Sequence, residues 1–376
     1  MIDLAHATSL LTVDVGAIVS NWKRIGALVA PAEAAAVVKA DCYGLGMAQI
    51  APALRAAGCR SFFVANLDEG IALRRLVPGA VIYVLSGPVV GSEPDFAAHE
   101  LIPVLNSLAQ ITSWSAFAKA GSAAPAAALH LDTGMSRLGL NESDLERLVA
   151  KPEILTAVRP VLLMSHLACA DDNDAAMNKT QLGTFRRLTA TLPPIPRSLS
   201  ASSGLFLGRP YMLDMVRPGA ALYGLNPSPQ HPNPMTQVLR LQGKILQVHD
   251  VDSPMTVGYG ATHRVARRGR LAVVGVGYAD GWFRSLSNRG HGVIEGVKVP
   301  VVGRVSMDLT TFDVSEVPVD KVYPGALIDL IGPGHGADDV AAEAGTIGYE
   351  VLTALGRRHT RRWIGYPSAQ KEGVRP

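Results

Sequence analysis

The chain is poor in cysteine: Cys42, Cys59 and Cys169 are the only three in 376 residues. An odd set with no Cys-x-x-Cys spacing argues against a disulfide framework and against a cysteine-held zinc site, and it points to a reducing compartment. No metal ligand set is expected. Net charge is also small, +3 at pH 7, so neither nucleic acid nor an anionic membrane is an expected partner. Two basic clusters, Arg264 to Arg270 and Arg357 to Arg362, read as solvated surface. No uninterrupted apolar run reaches the roughly 18 residues of a spanning helix. The opening MIDLAHATSLLTVDV has no basic segment followed by an apolar core, as a signal peptide would. A cytoplasmic protein is the expectation.

What is present is an ordinary globular composition, 48% hydrophobic and 18% charged, in a chain too long for one core. The expected domains are 1–230 and 231–376. In the first, short apolar runs alternate with helix-like stretches. The runs are Ala35–Ala40, Phe62–Asn66, Val81–Ser86, Leu101–Leu105, Ala127–Asp132, Val161–His166, Arg197–Ala201 and Met215–Arg217. They look like strands buried on both faces. Between them lie amphipathic segments such as Met47–Ala57, Glu69–Val77, Glu142–Val149 and Ala175–Leu192, with Asp14, Asp68 and Asn141 placed as N-caps. Eight such repeats predict a (β/α)8 TIM-like barrel. A doubly wound open sheet is the alternative, but no G-x-G-x-x-G follows the first strand. The segment NPSPQHPNP reads as a linker. After it, runs at Val238–His249, Arg270–Gly277, Val293–Val302, Leu309–Val314 and Ala326–Ile331, with one helix-like segment at Asp338–Ala344, predict a mostly-β domain.

Barrel chemistry gathers at the C-terminal ends of the strands. Lys39 ends the run AAAVVKAD. A lysine there either snorkels to solvent or is desolvated for Schiff-base chemistry, and position alone weighs the two evenly. Other strand ends carry Tyr43, Arg137, His166, the Ser202-Ser203-Gly204 turn, and Arg217-Pro218-Gly219-Ala220. Small residues after strands seven and eight suit a phosphate cradle, where bare backbone amides approach the anion. Each signal alone has a bland reading, a turn or a packed core histidine. Together they place an amine, a phosphate cradle and an arginine at one barrel mouth.

The motifs VVKADCYGLG, HLDTGMSRLG, MSHLACAD, MVRPGAALYG, VGYGATHR, VGYADGW, GRVSMDLT and TIGYE resemble, in order, those of the alanine racemases. The resemblance spans nearly the whole chain. It implies fold-type III pyridoxal 5'-phosphate chemistry that interconverts L- and D-alanine, for peptidoglycan supply or for catabolism. By that resemblance, Lys39 carries the cofactor and serves as one base. Tyr259 is the other and comes from the second subunit of a homodimer with shared sites. Arg217 faces the pyridine nitrogen, and because guanidinium keeps its proton, that nitrogen stays unprotonated. Tyr43, Ser203, Gly219, Ala220 and Tyr349 hold the phosphate. Arg137 stands near the phenolic oxygen and the substrate, and His166 is a candidate cation beside the tyrosine. Met307, with its backbone amide, and Asp308 lie near the substrate carboxylate; Tyr278 and Arg284 line the entrance.

The chain departs from the family in having His130 where many members have a carbamylated lysine that orients the Arg137 position. Cys42 and Leu45 also differ from the usual signature loop, and Cys42 reads as a small space-filling residue. Three other readings compete. A broad-specificity amino-acid racemase is expected to have a signal peptide and a disulfide. A decarboxylase of like architecture needs a cysteine near Ser306-Met307-Asp308. A non-catalytic cofactor-binding protein would be the barrel alone.

Overall fold

The computed structural model describes residues 5–121 and 126–366. It divides into two units: residues 18–236, and the residues up to Ala17 together with those from Gln237 onward.

In the first unit, seven strands hydrogen-bond in parallel and in chain order. They are Ala36–Val37, Ser61–Val64, Val81–Val84, Ile102–Leu105, Ala127–His130, Pro160–Met164 and Arg197–Ser198. The eighth, Met215–Val216, pairs in parallel with Glu33–Ala34, directly upstream of the first. Backbone bonds from Asp214 to Arg197 and from Arg217 to Ser200 join it to the seventh. The ladder closes into a (β/α)8 barrel with no open edge, which sets the doubly wound sheet aside. The strands read as continuous apolar runs because helices cover the sheet. Every residue of Ser61–Val64 is buried.

The helices Met47–Ala56, Leu67–Leu76, Glu142–Val149 and Ala176–Thr189 stand where periodicity placed them. Asp14 accepts the amide of Ala17 at 2.9 Å and Asn141 that of Asp144 at 2.9 Å, so both are caps. Asp68 is not a cap. Asn66, whose backbone is extended, accepts the Glu69 amide at 3.0 Å. Asp68 already lies in the first helical turn, where an acidic side chain favours the helix dipole instead.

The second unit is mostly antiparallel sheet. Its spine is the 13-residue strand Leu239–Val251, which pairs with Ser9–Asp14, Leu327–Ile331 and Gly269–Val274. A register irregularity between Ile245 and Gln247 lies within its pairing with Gly269–Val274. A side chain at Gly243 would overlap Val274, so glycine is required at this close approach. The opening strand Ser9–Asp14, expected in the barrel domain 1–230, belongs here and also pairs in parallel with Thr360–Ile364. Its run SLLTVD is buried almost throughout, and it finds its partners across more than two hundred residues of chain. The expected helix appears as Ala337–Ala344.

Candidate active site

Lys39 follows the first barrel strand and opens an uncommon piece of backbone. Ala40, Asp41, Cys42 and Tyr43 all have φ between 52° and 56°, and Gly44 has φ 82°. This is a turn of left-handed helix made from residues that carry side chains. Each such residue costs roughly 1–2 kcal/mol against a right-handed conformation, so the turn persists only because its surroundings hold it. Glu69 accepts the amides of Ala40 and Ala65, both at 2.7 Å. Asp41 accepts the amide of Met47 at 2.6 Å, and its carbonyl takes the amide of Gly46. Cys42 is fully buried and burial pushes its thiol pKa up, so it fills space and does no thiol chemistry. The Tyr43 ring packs 4.7 Å from that of Tyr223, whose hydroxyl donates to the Val37 carbonyl at 3.0 Å.

The turn leaves Lys39 half-buried at the barrel mouth. Burial lowers its pKa first, the Arg137 guanidinium lowers it further, and Glu69 opposes both. This burial and the nearby Arg137 charge favour the desolvated reading of Lys39 over the snorkelling one.

Arg217 directly follows the eighth strand and is buried. One terminal nitrogen donates to Ser198 Oγ at 2.5 Å, the other to the carbonyls of Ser165 at 2.6 Å and Leu199 at 3.3 Å. Burial pulls its pKa down to about 10, which still leaves it a cation at neutral pH. That fixed charge acts on its neighbours. His166 has its pKa pushed down to about 3 by burial, then by Arg217, Arg137, His130 and Lys39. A buried imidazole among three cationic side chains favours the neutral form at pH 7, which runs against the expectation that His166 is a cation.

His130 ends the fifth strand. Its Nδ1 lies 2.7 Å from Asn106 Oδ1, while the Asn106 amide nitrogen donates to the carbonyls of Leu85 at 3.0 Å and Val104 at 2.9 Å. Both amide protons are committed, so Asn106 Oδ1 must accept and His130 Nδ1 must donate. The remaining nitrogen, Nε2, then carries a lone pair. Burial, Arg217 and Arg137 push the His130 pKa down to about 4, which keeps this tautomer neutral.

Ser203 begins a short 3-10 turn, Ser203–Leu207, after the seventh strand, and Ala220 begins another, Ala220–Tyr223, after the eighth. The neighbouring Ser202, which is buried, ties them together: its Oγ accepts the amides of Gly219 at 3.0 Å and Ala221 at 3.1 Å. The Gly219 amide is thus engaged within the protein, and the intervening Ala220 amide is not part of this pair of bonds. A side chain at Gly219 would overlap the Tyr43 hydroxyl and stand 3.0 Å from its Cζ. Bare backbone is needed where Tyr43 closes on this loop.

These observations fit an aldehyde cofactor bearing a phosphate. An amine of lowered pKa, a buried guanidinium, a tyrosine hydroxyl and two small-residue turns share one barrel end. Motif reading did not reach Glu69, Asn106, Ser198 or the bridging role of Ser202; Asn106 directly follows its strand, which was the signal available.

The second unit holds the other expected site residues. Tyr259 follows Gly258, which has φ 68°, at the tip of the hairpin Thr256–Val257 and His263–Arg264. It is 73% exposed. Tyr278 and Met307 lie side by side, because the amides of Tyr278 and Ala279 donate to the carbonyls of Ser306 and Met307, each at 3.0 Å. A side chain at Gly277 would overlap those carbonyls. Met307 is 53% exposed and Tyr278 43%. Arg358 forks onto both oxygens of Asp280, at 2.7 and 2.8 Å, and its remaining terminal nitrogen holds Asp308 at 2.7 Å. Tyr349 is exposed in the first turn of helix Gly348–Ala354, and Arg284, also exposed, opens the 3-10 turn Arg284–Leu286.

Comparison with known proteins covers both units. Residues 13–227 match the family model "Alanine racemase, N-terminal domain", and residues 238–363 match "Alanine racemase, C-terminal domain". A protein of Rhodospirillum rubrum named alanine racemase is 52% identical over 363 residues, covering 96% of this chain and 97% of its own. One of Agrobacterium fabrum, named as a catabolic alanine racemase, is 45% identical over 95% of this chain and 92% of its own. The crystal structure of alanine racemase from Bartonella henselae with covalently bound pyridoxal phosphate superposes with a TM-score of 0.92. It is 40% identical and covers 95% of this chain and all of that one.

Proposed function

The chain belongs to the alanine racemase family, whose reaction interconverts L- and D-alanine with pyridoxal 5'-phosphate, and we propose that Lys39 and Tyr259 are its two bases. The observation that carries this reading is Lys39 itself, an amine of lowered pKa coupled to Arg137 at the barrel mouth. When bound, the cofactor would supply the electron withdrawal that makes the substrate's α-proton removable.

The protein's own part is to hold and move protons. Racemisation takes a proton from one face of Cα and returns one to the other, so a base must stand on each side. Lys39 would hold the cofactor through its amine and would supply the base on one face. Tyr259 serves the other. Ordinary lysine and tyrosine pKa values lie near 10, so both need an environment that favours the deprotonated form. Burial and Arg137 supply it for Lys39. Arg217 would face the pyridine nitrogen with a guanidinium that keeps its own proton, which would leave that nitrogen unprotonated, limit electron withdrawal by the ring and disfavour transamination. Tyr43, Ser203, Gly219, Ala220 and Tyr349 hold the phosphate, Gly219 chiefly by having no side chain. Arg137 meets the phenolic oxygen, and Met307 and Tyr278 bound the substrate.

The active unit in this reading is a homodimer with shared sites, each copy lending Tyr259, Tyr278 and Met307 to the other. The exposure of these three side chains supports it, since large apolar and aromatic groups left in water commonly mark an interface. The cytoplasm is the proposed location, supported by three free cysteines. Among the described residues, no helix is long and apolar enough to cross a membrane.

The test separates anchoring from proton transfer. Lys39→Ala should lose the yellow, borohydride-reducible attachment of the cofactor along with racemisation. Tyr259→Phe should keep the attachment and lose racemisation by roughly 10²–10⁴-fold, followed by circular dichroism of alanine. A Tyr259→Phe enzyme that racemises normally would rule out the two-base assignment while leaving the cofactor assignment intact.

A further inference from the structure

The sheet unit carries a cluster of side chains that racemisation does not use. His291 opens the strand His291–Ile294. His335 closes the turn Gly332-Pro333-Gly334-His335, held by mutual backbone bonds of 2.9 and 3.1 Å between Gly332 and His335, with Gly334 at φ 77°. Glu343 lies in the last turn of helix Ala337–Ala344. One ligand-capable atom from each of the three lies within 4.8 Å of the others. The imidazole centroids are 3.8 Å apart.

The polar contacts inside this cluster are incomplete. One Glu343 oxygen is paired with His291 Nδ1. The other lies 3.3 Å from the His291 amide and 3.5 Å from His335 Nε2. His335 is only 1% exposed, yet among the described residues its Nδ1 has no hydrogen-bond partner and its Nε2 has only the long 3.5 Å contact with Glu343, while the buried Nε2 of His291 has none. Buried histidines ordinarily satisfy at least one ring nitrogen. The nearby Asp339 accepts the Gly336 amide at 2.7 Å through one carboxylate oxygen. Two imidazoles and one carboxylate form a donor set that suits a borderline divalent ion. The separation of His335 from Glu343 is already close to the edge of a tetrahedral site with bonds of about 2.0–2.2 Å. His291 and Glu343 are part-exposed and leave a path for the ion and for a water as fourth ligand.

We propose that His291, His335 and Glu343 form a divalent-metal site of the zinc class, pinning strand, turn and helix together. The low cysteine content spoke only to thiolate sites and left this combination out of view. These residues are 44 and 8 positions apart in sequence (335 − 291 and 343 − 335), a spacing that matches no compact motif.

The test uses tag-free holoenzyme stripped with chelator and then titrated with Zn²⁺ by calorimetry, with Co²⁺ as a spectroscopic stand-in. The expected result is one Zn²⁺ per chain, a rise in Tm on binding, and the visible absorption of four-coordinate Co²⁺. Glu343→Gln, His291→Asn and His335→Asn should each weaken binding at least roughly tenfold and remove the Co²⁺ band, with racemisation retained as evidence of an intact fold. If His335→Asn fails to fold, Glu343→Gln carries the test alone, since glutamine keeps the shape and loses the charge. Absent binding, binding at other than one ion per chain, or binding unchanged in a folded Glu343→Gln enzyme would overturn the proposal.

Discussion

At the scale of single residues, His130 is the most instructive position. The committed amide protons of Asn106 fix its tautomer, and burial with two nearby arginines keeps it neutral. A neutral imidazole with a lone pair on Nε2 is an acceptor for a guanidinium, and we propose that His130 orients Arg137, whose charge acts on it. His130→Leu removes the acceptor and keeps the bulk. It should lower kcat/KM about tenfold and shift the pH profile of kcat/KM, with the cofactor still attached; an unchanged profile would show that His130 only packs. Lys39 and Arg217 were legible in the sequence because each ends an apolar run, whereas His130 stood out only where the chain departs from the family's motif. Ser202 and Asn106 were less legible as actors, because small polar residues after strands usually just turn the chain. Only the folded positions of their partners reveal what they hold.

At the scale of elements, the barrel strands were readable because burial on both faces leaves an unbroken apolar run such as SFFV. The left-handed turn after Lys39 was not. Of its residues, Ala40, Asp41, Cys42 and Tyr43, only Asp41 is of a type that tolerates positive φ, and glycine appears only at Gly44 and Gly46. Tertiary anchors impose the conformation, chiefly Glu69, which the sequence placed merely at a helix start. Ala40→Gly tests this directly. At a right-handed helical position the change costs roughly 0.5–1 kcal/mol. Here relief of strain worth about 1–2 kcal/mol should offset that cost, so denaturant unfolding should show a neutral or slightly stabilised protein. A loss of 1 kcal/mol or more would mean the turn stores no strain.

For the whole molecule, buried histidines shape the response to pH. His130 and His166 have folded pKa values of about 4 and about 3, below the ordinary 6.5. Between those limits the unfolded chain binds protons that the folded chain refuses, so stability is fully present above pH 6.5 and falls as pH drops toward the folded values. Tm should decline across that window, and His166→Asn should flatten the decline; a Tm independent of pH there would contradict the buried neutral state. The Pro-rich segment near residue 230 lies just before the change of unit between Thr236 and Gln237, but nothing local marks Ser9–Asp14 as part of the second unit. Its pairing with Leu239–Val251 and Thr360–Ile364 is among the most distant in the chain, and no local pattern announces a partner so far away.

The central claim, that each site takes Lys39 from one copy and Tyr259 from the other, is tested most directly by complementation. Lys39→Ala and Tyr259→Phe chains, each inactive alone, are co-expressed in equal amounts and the mixed dimers assayed for racemisation. Shared sites predict one fully wild-type site per mixed dimer, and hence about a quarter of wild-type activity after random pairing. No activity above that of the separate variants would place both bases in the same chain and contradict the account.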